Sequence, residues 1–374
     1  MATKVKARTG GIVLTASELK SALGAVAAAV GRTRPVLANV RIGDGLMSAT
    51  DLEVRIDAVL DYHGDPILLP YSRLSAILRE SSGDDVTLDP KGTSCTVRIG
   101  RGEWTLPTED AAEFPTWEPE NTSLVCRIPA DQYRRAVNSV AYAIDRESSR
   151  YALGALRVEV SREESKAFFV ATDGRRLALA TAELGTVQDP DDSASLVIPD
   201  AAIAAGDLSS KDGQVEILRN DKEVVFNVDG ATVIARQIEG RFPRWRDVFP
   251  KDQSTTTHTL AIKELNSVTR AASIVTSEQS KGVTYTFQDS ALTLTARSSE
   301  AGESKVSCDV VNYGRDALVT LDPRFVLQMC KSLMSLEGSP VINVTLNSPG
   351  DAVVFAYGDD GEYKSVIMPL APDA

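Results

Sequence analysis

The chain repeats itself three times, and no other feature restricts its possible folds so tightly. An aromatic residue or methionine followed by proline occurs at Phe114-Pro115, Phe242-Pro243 and Met368-Pro369, with the prolines 128 and 126 residues apart. A second marker is a proline that opens a helical pattern, at Leu69-Pro70, Ile198-Pro199 and Asp322-Pro323, spaced by 129 and 124 residues. Ala49-Thr50-Asp51 returns as Ala171-Thr172-Asp173 after 122 residues. Separate markers on one period predict three related domains, assigned to residues 1–121, 122–253 and 254–374. The length agrees, because a chain of 374 residues exceeds what one ordinary core encloses.

Each third reads alike inside. Apolar residues at helical spacing predict an early amphipathic helix at Glu18–Val30, Asp131–Ile144 and Lys263–Val275, with Ser17 and Ala130-Asp131 as candidate N-caps. Strand-like runs rich in β-branched residues follow at Leu46–Leu60, Ala167–Ala180 and Val283–Leu294, and later at Gln214–Val228 and Val341–Tyr357. Between them the marker proline predicts a second helix, since a residue without an N–H costs nothing in a first helical turn. Those helices are expected at Tyr71–Ser81, Asp200–Asp207 and Arg324–Leu333. The fold class expected is α+β, with two helices on antiparallel sheet in each of three repeated domains.

Composition narrows the function. A formal charge of −12 argues against a protein that grips nucleic acid over its whole surface, so any DNA contact must lie on a local basic face. The scattered Cys95, Cys126, Cys308 and Cys330 fit free thiols in a reducing cytoplasm. No apolar run approaches the length of a membrane span, and residues 1–10, with Lys4, Lys6 and Arg8, read as a tail rather than a secretion signal. Signals for catalysis are sparse. His63 and His258 lack a partner at any motif spacing and are expected to be surface or core residues. Gly100-Arg101-Gly102 reads as a turn, the acid pairs Asp84-Asp85 and Asp359-Asp360 as hairpin turns, and the Asp-rich Asp189–Ser195 as a solvated loop. No metal, cofactor or catalytic residue is assigned.

Several segments together carry a family resemblance. Val170-Ala171-Thr172-Asp173-Gly174-Arg175-Arg176-Leu177-Ala178, Glu239-Gly240-Arg241-Phe242-Pro243 with Val248 and Pro250, and Val366-Ile367-Met368-Pro369-Leu370 resemble signatures of the bacterial sliding clamp, the β subunit of DNA polymerase III. Arg34–Asn39 and Thr50-Asp51-Leu52-Glu53 resemble the first clamp domain. The matches fall in all three thirds, in the family's order.

The resemblance implies a head-to-tail homodimer, a ring of six domains with helices lining a hole that encircles double-stranded DNA. It implies no catalytic activity of its own, a cytoplasmic setting, and as partners the replicative DNA polymerase, a clamp loader and other proteins with clamp-binding motifs. Residues matching the family's partner-peptide pocket are Leu153, Thr172, Gly174, Arg175, Arg176, Leu177, Pro243, Val248, Met368, Pro369 and Leu370. Subunit contacts map to Trp104 and Leu106 and to Ile274 and Val275. Basic residues on the expected helices are the DNA-facing candidates, Lys20, Arg73, Arg79, Arg134, Arg135, Lys263, Arg270, Arg324 and Lys331, together with Arg32, Arg34, Arg146, Arg150 and Lys281 on expected loops. Asp247 stands where clamps often carry a basic or polar residue, which bears on the choice of partner peptide. The rival readings are a clamp-like three-repeat protein-binding scaffold or decoy that never encircles DNA, and more remotely a nuclease built on Asp191 and Asp192.

Overall fold

In the computed structural model each third opens in the same way: a strand runs into an α-helix that ends in one turn of 3-10 helix. The strands Ile12–Thr15, Ser123–Pro129 and Thr256–Ala261 lead into α1 (Ala16–Val26), α3 (Ala130–Val140) and α4 (Ile262–Ala272). The 3-10 turns follow at Ala27–Ala29, Ala141–Ala143 and Ser273–Val275. The second helices are α2 (Tyr71–Glu80) in the first third and α5 (Pro323–Met334) in the last. The structure describes residues 12–145, 154–187, 193–199, 203, 205, 208, 212–238, 240–250, 255–276, 282–311, 314–336, 340–348, 350–358 and 362–370. The expected helix Asp200–Asp207, the N-terminal tail and most of the Asp-rich loop fall largely outside these residues. So does the Asp359-Asp360 pair.

The helix starts show local sequence at work, and three expectations are corrected; Ala130 and Asp131, expected as caps, lie within the first turn of α3. Thr15, not Ser17, caps α1: its hydroxyl accepts from the backbone N–H of Glu18, whose carboxylate reaches back to the Thr15 backbone. Pro323 opens α5 at its first turn behind the capping carboxylate of Asp322. Pro70, by contrast, is itself the cap of α2, so its φ of −60° ends the preceding strand instead of opening the helix.

The strand-like runs resolve into hairpins, because tight turns interrupt each one. Leu46–Leu60 becomes Leu46–Thr50 paired with Val54–Val59, and Ala167–Ala180 becomes Lys166–Thr172 paired with Arg176–Glu183. Gly100-Arg101 forms the turn between Ser94–Ile99 and Gly102–Pro107, with Gly100 at φ +56°. Asp84-Asp85 does not sit in a hairpin; it joins α2 to the strand Asp85–Lys91. Ser193–Ser195, expected in the Asp-rich loop, belong to the strand Ser193–Pro199 and pair with Ala155–Ser161.

Chain contacts divide the molecule into two compact units, Met1–Ala130 with Ala201–Gln237, and Asp131–Asp200 with Ile238–Ala374. The central third therefore contributes to both. In the first unit a continuous antiparallel sheet runs Ser123–Pro129, Gln214–Arg219, Glu223–Val228, Ala231–Arg236, Val54–Val59, Leu46–Thr50, Asn39–Gly43, Ile67–Pro70. In the second the order is Ser193–Pro199, Ala155–Ser161, Lys166–Thr172, Arg176–Glu183, Tyr363–Ile367, Val353–Tyr357, Val341–Leu346, Thr256–Ala261. Successive thirds are stitched at equivalent registers, Arg55 opposite Ile234 in one unit and Leu177 opposite Val366 in the other. Each unit also holds a four-stranded sheet, ending at Gly102–Pro107 in the first and at Gly302–Asp309 in the second.

Helices cover the sheets with one apolar face. α1 buries Leu19, Ala22, Leu23 and Val26 and packs on α2, while α4 packs on α5. Full burial of each such leucine or valine contributes about 1.5–3 kcal/mol. All four cysteines are free, and burial pushes the Cys95 and Cys308 thiols up to about 11 and that of Cys330 to about 12. Such thiols stay protonated and unreactive at neutral pH. Among the described residues no helix is long and apolar enough to cross a membrane.

Candidate functional site

The segment Thr172–Arg176 is a turn held by its own side chains. The Thr172 hydroxyl donates to the Arg176 carbonyl at 2.6 Å and accepts from the Gly174 N–H at 3.1 Å. Asp173 Oδ1 accepts from the N–H groups of Arg175 and Arg176 at 2.9 and 3.0 Å. Gly174 takes φ +84°, a left-handed conformation that costs a residue with Cβ roughly 1–2 kcal/mol.

Arg176 is built into the unit behind that turn. Its Nε donates to Asp173 Oδ2 at 2.9 Å, Nη2 to the Tyr142 carbonyl at 2.7 Å, and Nη1 to Gln328 on α5. The guanidinium lies 4.9 Å from the Tyr142 ring centroid and 4.6 Å from that of Phe325. With its side chain 7% exposed, it ties the turn to the helix layer.

On the other side of the sheet lies an apolar cluster of Phe168, Val170, Leu177, Leu179, Phe242, Trp245 and Val366, with Val197, Phe249 and Val354 packed on it. The segment Arg241–Pro250 straps across these strands by burying Phe242 and Trp245, which leaves Pro243 and Val248 exposed, Val248 at 36%. Trp245 sits 5.8 Å from Phe168 and 6.3 Å from Phe249 between centroids, and its indole N–H donates to Glu159 at 3.2 Å. Burial alone would raise the Glu159 pKa. Hydrogen bonds from Arg246 and Trp245 and the charges of Arg246 and Arg157 outweigh it and hold the carboxyl below its ordinary value.

The C-terminal residues complete the patch. Met368 N–H donates to the Arg175 carbonyl at 2.9 Å and Leu370 N–H to Thr320 at 2.9 Å. Met368 is 44% exposed, and Pro369 and Leu370 are half-buried. Of the eleven peptide-site candidates, ten thus fall on three segments of the second unit; Leu153 lies outside the described residues. Phe242 and Trp245 were missed as its foundation, although the recurring Phe-Pro-x-Trp, at Phe114–Trp117 and again at Phe242–Trp245, marks them in the sequence.

The first third builds the same turn on a different floor. Thr50 and Asp51 make the equivalent four hydrogen bonds to Leu52, Glu53 and Val54, and Leu52 occupies the φ +84° position. At the registers where the second unit carries Val170, Leu177 and Leu179, this one carries buried Ser48, Arg55 and Asp57. Arg55 pairs with Asp57 at 2.9 Å and sits 5.9 Å below Trp117. The scaffold repeats, but the apolar surface does not.

The remaining candidates are dispersed. Lys20, Arg32, Arg34, Arg73, Lys263, Arg270 and Lys331 are exposed. Arg79 pairs with Glu80, Arg135 with Glu362 at 3.9 Å, and Arg324 with its own helix cap Asp322. Arg134 is half-buried on α3, and Arg146, Arg150 and Lys281 lie outside the described residues. Trp104 and Leu106 are on the edge strand Gly102–Pro107, where Leu106 is buried in its own sheet and the half-buried Trp104 ring lies close over Gly102. Ile274 is 77% exposed and Val275 half-buried. His63 is exposed beside Asp61, while His258 is buried, stacked on Phe287 at 4.0 Å. A cavity of about 210 Å³ beside α3 has walls whose charges answer each other, Arg135 with Glu362 and Lys166 with Glu183. Among the described residues no group of three or more His, Cys, Asp or Glu is placed to hold a metal ion.

Comparison with known proteins places these features in a family. A profile of the DNA polymerase III beta subunit central domain matches residues 127–244, and one of its C-terminal domain matches residues 246–371. The beta sliding clamp of Caulobacter vibrioides is 30% identical over 381 residues, covering 96% of this chain and 99% of the relative. That of Pseudomonas putida is 28% identical over 354 residues, covering 91% and 93%. Among solved structures, the Pseudomonas aeruginosa sliding clamp bound to griselimycin superposes with a TM-score of 0.86 at 23% identity, over 97% of this chain and 100% of that one. The Thermotoga maritima DNA polymerase III beta subunit gives a TM-score of 0.86 at 19% identity, over 97% and 99%.

Proposed function

The chain belongs to the bacterial DNA polymerase III beta subunit, or beta sliding clamp, family, and from that premise we propose how its residues divide the work. Its function is that of a DNA sliding clamp. Two chains, each of three domains at 1–121, 122–253 and 254–374, close a ring around duplex DNA in the cytoplasm. The ring holds polymerase on its template and catalyses nothing itself.

Retention by topology explains the charge. A ring that cannot fall off needs no tight phosphate grip, and a tight grip would stall sliding. The net −12 keeps the shell unattractive to DNA, while Lys20 on α1, Arg73 and Arg79 on α2, Arg134 and Arg135 on α3, Lys263 on α4, together with Arg32, Arg34, Arg146, Arg150 and Lys281, supply a modest, sequence-independent attraction. Ring closure uses the edge strand with Trp104 and Leu106 against Ile274 and Val275 of a second copy. That contact covers a sheet edge and a largely exposed isoleucine. A clamp loader opens the ring.

Polymerase and other partners dock through a short peptide on the patch of Leu153, Thr172, Gly174, Arg175, Leu177, Pro243, Val248 and Met368–Leu370. An exposed methionine and valine above a fixed aromatic floor suit a surface that accepts several apolar anchors. Arg176 serves that surface by fixing its turn. Whole-length correspondence with the clamp fold, over 97% of the chain, carries the reading. Negative-stain electron microscopy with mass measurement tests it. Rings with an open centre and the mass of two chains are expected; compact particles without a hole overturn encirclement and favour a protein-binding scaffold.

A further inference from the structure

The strap that carries Val248 also carries an arginine held in one pose before any partner arrives. Arg246 and Val248 share the 3-10 turn Trp245–Val248. The Arg246 guanidinium carbon lies 4.0 Å from the centroid of the Trp245 ring and 5.3 Å from that of Phe168. Its Nη1 contacts Glu159 Oε1 at 2.5 Å. Glu159 is itself anchored, since Oε2 accepts from Trp245 Nε1 at 3.2 Å and from Arg157 Nη2 at 2.9 Å. Yet the Arg246 side chain remains 52% exposed against 10% for Glu159. A planar group with five N–H donors, stacked on an indole and fixed along one edge, keeps donors on its outer edge at little further cost in side-chain entropy.

Charge on the exposed residues around the patch is mainly of the same sign. In a chain of net charge −12, exposed Arg175, Arg241, Arg244 and Arg246 flank the apolar cluster, against exposed Asp247. Arg175 is joined through its carbonyl to Met368, and Arg241 and Arg244 bracket Phe242 and Pro243.

We propose that Arg246 is a specificity residue of the partner-binding surface, receiving a carboxylate side chain of the docked peptide. The inference rests on the reading of that surface as a peptide site. Spacing makes it specific. A 3-10 turn rises about 2 Å per residue, so Arg246 and Val248 start only a few ångströms apart along its axis. An extended peptide advances about 3.3 Å per residue, so the carboxylate belongs one or two residues from the apolar anchor that meets Val248. Glu159 and Trp245 are positioning residues that act through Arg246.

The test uses the full-length protein and two fluorescein-labelled pentapeptides with apolar anchors, identical except for Asp or Asn at the residue beside one anchor, read by anisotropy at low and high salt. At low salt the Asp peptide is expected to bind about 3- to 10-fold more tightly, a preference that shrinks as salt rises. Arg246→Gln brings the ratio to about one by weakening only the Asp peptide. Equal binding by the native protein, or a preference that survives Arg246→Gln, overturns the proposal. Met368→Asp separates the premise from the inference. If neither peptide binds the native protein, or Met368→Asp leaves both affinities unchanged, the surface reading itself fails and this inference falls with it.

Discussion

Replacing Arg176 with alanine separates two ways an arginine can serve a binding surface, by touching the partner or by holding the wall. The structure favours the wall. The substitution removes an ion pair to Asp173, whose carboxylate is 16% exposed, and leaves the Tyr142 carbonyl and Gln328 without their donor. Breaking a buried pair from one side costs about 3–5 kcal/mol. Here the loss is moderated, because Asp173 keeps the backbone N–H groups of Arg175 and Arg176. Vacating the space between the Tyr142 and Phe325 rings adds a packing loss back. The net expectation is about 2–4 kcal/mol, carried by the second unit. Hydrogen exchange of the Arg176–Glu183 strand measures that unit directly and avoids assuming that the whole chain unfolds in one step. A cycle with Asp173→Asn should show a coupling of about 1–3 kcal/mol. A loss below about 1 kcal/mol, or additivity of the two changes, would return Arg176 to direct contact with the partner.

Three other outcomes follow from the same geometry. Glu159 titrates below its ordinary value, so its contribution to stability is complete above the unfolded pKa of about 4.3 and is lost as pH falls through the folded value; Glu159→Gln should flatten the acid limb of an unfolding curve. Burial, partly opposed by Asp316, holds the His258 imidazole below its ordinary range while Nδ1 accepts from the Gly314 N–H, so stability should drop from about pH 6.5 downward, and His258→Gln should lessen that slope. Ile274→Asp places a charge on an exposed position and should leave the fold intact but yield monomers by light scattering, whereas an unchanged dimer mass would count against that interface.

What could be read from the sequence followed the range of the forces involved. Helical periodicity located α1, α3 and α4, and the marker prolines α2 and α5, to within a few residues, because each helix buries one stripe against a sheet. Caps were harder. Ser17 and Thr15 offer the same hydroxyl chemistry, and the choice between them depends on where the strand Ile12–Thr15 ends, which pairing with Asp85–Lys91 decides. Hairpins were hidden inside apparent strands for a related reason. The turn Thr50–Val54 is made by side chains bonding backbone, and Leu52 at positive φ gives no glycine to announce it. The repeat marked the scaffold of the site but not its content, since Leu177 and Arg55 occupy equivalent registers under Trp245 and Trp117. Nothing in the sequence joins Arg176 to Tyr142 and Gln328, because their meeting is a product of packing between elements.

A ring that encircles DNA is retained on closed DNA and lost from an open end. The protein is loaded by a clamp loader and ATP onto a nicked circular plasmid, separated from free protein by gel filtration at raised salt, and the DNA is then cut once. Encirclement predicts that the protein stays with the circle despite the salt and leaves when the circle is linearised, because topology rather than phosphate contact retains it. Release from the intact circle as salt rises, or retention after linearisation, would show that surface contacts do the holding and that the protein does not encircle DNA.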